Sequence, residues 1–314
     1  MASNTIPTID FCNPNMKPGS EEWESTKAQV IQALEENGCF EAIYDKTPKE
    51  TEKELFSKLK EEIYPMEEKV KEYVGKPFDK YVKEIPRARY NNFRRTMDLL
   101  LPGSIEIFAN TFWPEDGNPH FCKMVNSYSS SIKELDAMVK RMIFEGLGLK
   151  DRYDEFMDEN IFIMRFLNYK KEVPEGNDAS VPRLMGHTDS GFLTIVKQGL
   201  PGLQVLEKNG EWIEPNVSPN SYIVSAADSM LAYTNGRLKS AFHRVKIAGD
   251  TDRFSIILFT SSKPGYIIDT PKELVDEEHP KLYKPYDVTD YYKFISKSAY
   301  ETGNALKAFN ESLN

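Results

Sequence analysis

A mainly β chain with helices, its core a double-stranded β-helix (jelly roll) braced by an N-terminal helical region and a C-terminal helix, is predicted by three observations. From Asn160 onward, short runs rich in β-branched and aromatic residues follow one another at 161–169, 192–197, 203–206, 222–225, 230–234, 242–247 and 254–260. Turn signals separate them, namely Asn209-Gly210, Pro215, Pro219-Asn220, Asn235-Gly236 and Gly249-Asp250, the pattern of a barrel or double sheet. There is no alternation of strand and helix and no Gly-x-Gly-x-x-Gly motif, which excludes a nucleotide-binding parallel sheet.

The elements follow in order. Residues 6–11 read as a strand, and Ser20 as the N-cap of a helix with acids in its first turn and an apolar stripe at Trp23, Val30, Ile31 and Leu34 that ends near Gly38. Residues 40–44 read as a short strand. A helical pattern over 50–73 runs through Leu55, Leu59, Ile63 and Val70, and Pro65 should end or kink it near Tyr64. The aromatic, basic stretch 75–104 has no clean period and is assigned as loop with short strands. A long helix over 119–144 keeps three- and four-residue spacing from Phe121 through Ile132 to Ile143, and Gly146-Leu147-Gly148 ends it. The tail over 288–313 holds a helix expected to pack on the helical layer. The predicted partition is an N-terminal region 1–158 packing on the barrel, a catalytic jelly roll 159–265 and a helical tail 266–314, acting as one unit.

Composition narrows the function. Of 314 residues, 40% are apolar and 28% charged, as in an ordinary globular protein. Acidic side chains number 49 against 40 basic ones, a formal charge of −9, and nucleic-acid binding normally rests on a basic surface, so no nucleic-acid partner is expected. No run approaches the length of a membrane span and no leader pattern opens the chain, so no membrane association and a cytoplasmic location are expected. Cys12, Cys39 and Cys122 are odd in number and widely spaced, which fits free thiols rather than a disulfide framework. A monomer acting on a small molecule is the expected state.

The chemistry gathers in three islands, His187-Thr188-Asp189, His243-Arg244-Val245 and Arg253-Phe254-Ser255. On a strand, His187 and Asp189 project from one face, and His243 would complete two imidazoles and one carboxylate, the facial set of non-haem Fe(II) oxygenases with open positions for other ligands. A lone His-x-Asp is common by chance; the third island raises its weight. Arg253 offers a planar fork of donors matching a carboxylate, and Ser255 adds a hydroxyl on the same strand face, the grip expected for the far end of a dicarboxylate. His120 and His279 read as ordinary histidines. Zinc on the same three side chains would leave Arg253 and Ser255 without a role, and the zinc-protease spacing His-Glu-x-x-His is absent.

The chain resembles the plant 2-oxoglutarate/Fe(II)-dependent dioxygenases. The resemblance rests on the three islands and on Ile6-Pro7-Thr8-Ile9-Asp10-Phe11, Gly202-Leu203-Gln204-Val205, Asn235-Gly236-Arg237-Leu238-Lys239-Ser240 and Pro271-Lys272-Glu273-Leu274, and spans essentially the whole chain. It implies Fe(II) on His187, Asp189 and His243, with 2-oxoglutarate held by Arg253 and Ser255 and, at its near carboxylate, by Asn168. O2 is the oxidant and ascorbate a supporting reductant. The stretch 75–104 is expected over the barrel mouth, with Tyr90, Phe93, Phe112, Phe166 and Phe259 as pocket contacts. Where many members read Asn-Tyr-Tyr-Pro, this chain reads Asn168-Tyr169-Lys170-Lys171, so the second tyrosine, usually a co-substrate contact, is expected to be replaced by Lys170. Ala227-Asp228 stands in place of Gly-Asp. The nearest likeness is to the branch of glucosinolate side-chain dioxygenases and steroidal-glycoalkaloid hydroxylases, with auxin-oxidising dioxygenases more distant. The implied activity is oxidation of a small plant specialised metabolite with decarboxylation of 2-oxoglutarate to succinate and CO2. Oxidation of indole-3-acetate, or a non-catalytic jelly roll that binds a small molecule, are the alternatives.

Overall fold

The computed structural model describes residues 6–75, 94–171, 182–247, 251–297 and 305–313. Strand β1 (Thr8–Asp10) leads to helix α1 (Glu21–Glu36), started by Ser20, whose side chain accepts from the Trp23 backbone N–H. After β2 (Cys39–Ile43), α2 (Lys49–Lys58) runs into one π-helical turn over Leu59–Ile63, and α3 (Glu67–Gly75) begins beyond Pro65, as expected of a proline that cannot continue the ladder. The stretch 75–104, assigned as loop with short strands, contains an eight-residue strand, β3 (Arg94–Leu101), and α4 (Ile105–Phe112) follows it. β3 lacks a readable period because it is buried at nearly every position, whereas α4 buries one face, Ile105, Phe108, Ala109 and Phe112. The long helix α5 (Pro119–Gly146) is present, with Pro at its first turn and Asn118 as a left-handed N-cap accepting from Phe121 N–H.

A short helix α6 (Tyr153–Asp158) precedes β4 (Asn160–Tyr169), β5 (Leu184–His187), β6 (Leu193–Gln198), β7 (Leu203–Leu206), β8 (Trp212–Ile213) and β9 (Ser221–Ala226). The run 230–234, expected as a strand, is instead the end of helix α7 (Asp228–Tyr233). Its apolar residues are too few for period to separate helix from strand, and Met230 and Tyr233 pack into the helix-side core. Then come β10 (His243–Val245), β11 (Arg253–Ser262), β12 (Ile267–Ile268), β13 (Tyr286–Asp287), α8 (Val288–Lys297) and α9 (Ala305–Ser312). No described helix is long and apolar enough to cross a membrane.

A seven-stranded sheet, β1-β2-β9-β6-β11-β4-β3, faces a four-stranded one, β5-β10-β7-β8. All pairings are antiparallel except β1 with β2. This is the jelly roll expected. One face of the larger sheet, with Met97, Phe166, Ile195, Val224, Ile256 and Leu258, packs into the main core with α1, α4 and α5. The other, with Leu167, Val196, Ile223 and Ile257, meets Leu203, Val205, Ile213 and Val245 of the smaller sheet in a second cluster. Along β11 and β4, odd-numbered residues therefore point between the sheets and even-numbered ones toward the helices.

Candidate metal and co-substrate site

His187 and His243 are directly opposed on neighbouring strands β5 and β10, and their ring centres lie 4.3 Å apart. Each ring faces a carbonyl through Nδ1, His187 at 3.0 Å from Met185 O and His243 at 3.1 Å from Ala241 O. A carbonyl only accepts, so both Nδ1 atoms carry the proton and both Nε2 atoms are left as lone-pair donors. Burial and the neighbouring His243 push the His187 pKa down to about 4, which keeps it in the neutral form that ligation needs.

Asp189 does not extend the strand, as its spacing suggested; β5 ends at His187 and the aspartate sits in the loop beyond. Its backbone carbonyl accepts from Asp228 N–H at 2.8 Å and its carboxylate from Thr194 Oγ1 at 2.6 Å. Gly191 lets this loop close on β11, since a Cβ there would lie 2.3 Å from Thr260 O. The result brings one ligand atom each of His187, Asp189 and His243 within 4.8 Å of one another. Two neutral imidazoles and a carboxylate at that spacing fit a divalent first-row metal with positions left open.

Behind this group stands the aspartate of the Ala227-Asp228 pair, to which the sequence assigned no role in the site. Asp228 is 3% exposed; it accepts from Thr188 Oγ1 at 3.0 Å and from the Tyr291 hydroxyl of α8 at 2.6 Å. Burial raises its pKa to about 6 against the pull of these hydroxyls. The tail thus reaches the site as well as the helical layer. An acidic residue close behind a fully buried strand was the available signal.

Arg253 opens β11 and is 2% exposed. Its Nε donates to Leu200 O at 3.1 Å and Pro201 O at 3.0 Å, and Nη2 donates to Gln198 Oε1 at 2.7 Å. Nη1 has no partner among the described residues. Burial draws the guanidinium pKa down to about 10, so at neutral pH it still holds a desolvated positive charge, with no ion-pair partner among the described residues. Ser255 shares its strand face, and Tyr169 lies directly across on β4 with its ring centre 5.9 Å from the guanidinium carbon. The Ser255 and Tyr169 hydroxyls are both buried without a hydrogen-bond partner among the described residues. Two orphaned hydroxyls beside a buried cation are what a carboxylate would satisfy.

Sheet parity corrects several expectations. Asn168, expected at the co-substrate, is on the helix side, where its Oδ1 accepts from Arg95 Nε at 3.0 Å and Nη2 at 2.6 Å and its amide donates to Asp252 at 3.3 Å. Lys170 also points to that side, 4.0 Å from Glu67. Tyr169, not Lys170, therefore stands beside Arg253. Phe112 and Phe166 are not pocket residues; they stack in the helix-side core with Phe108 and Phe121. Phe259 does face the space between the sheets. Tyr90 and Phe93 lie outside the described residues.

Comparison with known proteins agrees with this geometry. Residues 160–262 match the family model of the 2OG-Fe(II) oxygenase superfamily. A probable 2-oxoglutarate-dependent dioxygenase AOP1.2 of Arabidopsis thaliana is 35% identical over 313 residues, covering 97% of this chain and 95% of the relative. Among solved structures, a rice dioxygenase for auxin oxidation superposes with a TM-score of 0.79 at 24% identity, over 96% of this chain and 99% of that one. JOX2 in complex with 2OG, Fe and JA gives 0.75 at 22% identity, over 97% and 88%. With a whole-length relative at this identity and a matching domain, the chain belongs to the 2-oxoglutarate- and Fe(II)-dependent oxygenases.

Proposed function

We propose that the chain oxidises a small plant specialised metabolite, by hydroxylation or a related two-electron oxidation, with 2-oxoglutarate converted to succinate and CO2. The observation that carries this reading is the pairing of two separate devices on the inner faces of the two sheets: a His187, Asp189, His243 group able to hold a metal, and Arg253 with two unpartnered hydroxyls able to hold a dicarboxylate. Bound Fe(II) with 2-oxoglutarate and O2 supplies the oxidising chemistry. The chain's own residues do the rest. His187 and His243 keep their Nε2 lone pairs inward because their Nδ1 protons are held by carbonyls. Thr194 fixes the Asp189 carboxylate. Arg253, Ser255 and Tyr169 grip the far carboxylate of the co-substrate. Ascorbate supports turnover by keeping iron reduced.

The specialised-metabolite reading stands ahead of indole-3-acetate, because the AOP relatives at 35% identity span the chain whereas the auxin dioxygenase shares its fold. We further propose a monomer in the cytoplasm with no nucleic-acid partner, the 1–158, 159–265 and 266–314 regions working as one unit. The test is succinate release by purified protein given Fe(II), ascorbate and 2-oxoglutarate, stimulated by a plant metabolite extract and lost in His187→Ala. Products heavier by one oxygen or lighter by two hydrogens would identify the substrate. No succinate with any extract, together with no iron uptake, would leave the non-catalytic binding protein standing.

A further inference from the structure

The inner wall of the larger sheet carries a charged pair used by neither the metal group nor the Arg253 clamp. Arg165 on β4 donates from Nε to Asp98 Oδ1 at 2.6 Å and from Nη2 to Asp98 Oδ2 at 2.7 Å, and Asp98 is its cross-strand partner on β3. Their side chains are 21% and 8% exposed. Such a buried pair is a poor device for stability, since apolar residues of similar volume serve a core as well or better.

Its position points to another use. Thr194, bonded to Asp189, is paired across the sheet with Phe259, and Phe259 with Ile163. Arg165 is the next inward residue on β4 after Ile163, and its guanidinium carbon lies 4.8 Å from the centre of the Phe259 ring. Neighbouring strands are about 5 Å apart, so the ring and the guanidinium stand within a few side-chain lengths of Asp189. Arg165, Ile163 and Phe259 are half-buried although they sit inside the sheet. Their open side is the space between the sheets, where the metal group also lies. Asp98 occupies Nε and Nη2 and thereby fixes the guanidinium plane; Nη1 has no partner among the described residues.

We propose that Arg165, locked by Asp98 and stacked on Phe259, anchors and orients the organic substrate, and that it selects molecules with an oxygen acceptor at one end of an apolar body. This rests on the oxygenase reading above. With its charge balanced by Asp98, Nη1 still offers N–H donors and no acceptor, so it donates to a carboxylate or carbonyl and gives an ammonium group no partner. The remaining surface of the Phe259 ring takes the apolar body and holds it beside the metal group.

The test uses the full chain loaded with Mn(II) and 2-oxoglutarate, titrated by calorimetry with phenylacetate, phenylacetamide and phenethylamine, which share one body and differ in the head group. The wild type is expected to bind the first two and not the amine. An Asp98→Leu, Arg165→Met double variant removes both charges together, so that neither is left buried alone. It should weaken both acceptor probes roughly 10- to 100-fold with metal content and 2-oxoglutarate affinity unchanged. Phe259→Leu, which leaves the ion pair intact, should weaken them too. Tighter binding of the acid than the amide names a carboxylate substrate, and equal binding a neutral carbonyl; both uphold the acceptor class. Unchanged probe binding in the double variant, amine binding as tight as the acid, or no acceptor binding by the wild type overturns the proposal. Failure of the wild type to bind Mn(II) or 2-oxoglutarate would strike the oxygenase reading instead.

Discussion

The two faces of β4 and β11 are made by alternating residues of the same ten-residue strands, yet they do different work. On the helix side Phe166, Ile256 and Leu258 pack into an apolar core, and Asn168 and Thr260 are engaged with protein partners, Asn168 with Arg95 and Asp252 and Thr260 with Asp136, while the Ser262 hydroxyl at the strand end is the exception. On the inner side Arg253, Ser255 and Tyr169 are buried and hold unspent hydrogen-bonding capacity. Folding tends to satisfy buried polar groups, so the face where two unsatisfied hydroxyls stand beside a buried guanidinium is the one built for a ligand.

The sharpest way to test that contrast is the metal group. His243→Ala should abolish iron binding and succinate formation while leaving the thermal midpoint close to wild type, as read by metal analysis and calorimetry, because the ring is half-buried and not part of the core. A loss of folding instead would mean that the inner face is also scaffold. The helix side should respond in the opposite sense. Lys140 and Asp136 of α5 form a fully buried ion pair at 2.8 Å, with Thr260 of β11 also donating to Asp136. Lys140→Met should cost about 3–5 kcal/mol by leaving a carboxylate buried alone, and Asp136→Leu with Lys140→Met should recover most of it, measured by urea denaturation.

Smaller effects separate the residues of the clamp. Arg253→Ala should weaken 2-oxoglutarate binding by about 2–4 kcal/mol of lost charge-assisted bonding with metal content near normal; unchanged co-substrate dependence would place the grip elsewhere. The smallest effect is also the most discriminating for strand parity. Tyr169→Phe should weaken 2-oxoglutarate by about 1 kcal/mol with little effect on stability, since its hydroxyl has no protein partner to lose. Asn168→Ala should do the reverse, lowering stability by about 1–3 kcal/mol through the stranded Arg95 while co-substrate affinity holds. Equal effects of the two on 2-oxoglutarate would dissolve the contrast between the faces.

Much of this is legible in the sequence. Residue types with a narrow chemistry, His187, Asp189, His243, Arg253 and Ser255, announced a metal and a dicarboxylate by their kind and order, and the structure brings the first three within ligand distance of each other. The long helix and its caps were equally plain, because α5 keeps one face polar and its period visible. What failed to show was the direction in which central-strand residues point. β6 and β9 are buried at every position and β11 at nearly every one, so the two-residue alternation that marks an inner and an outer face is erased. On that account Asn168 and Phe166 are expected inward but face the helices, and Tyr169 escapes notice; Phe112 lies on helix α4 in the helix-side core. Local chemistry and spacing are enough to name the reaction class. Which side of a doubly buried strand reaches the reacting atoms is settled by cross-strand register alone, because residues far apart in the chain, Arg253 opposite Tyr169 and Arg165 opposite Asp98, must be brought into line before either face has an identity.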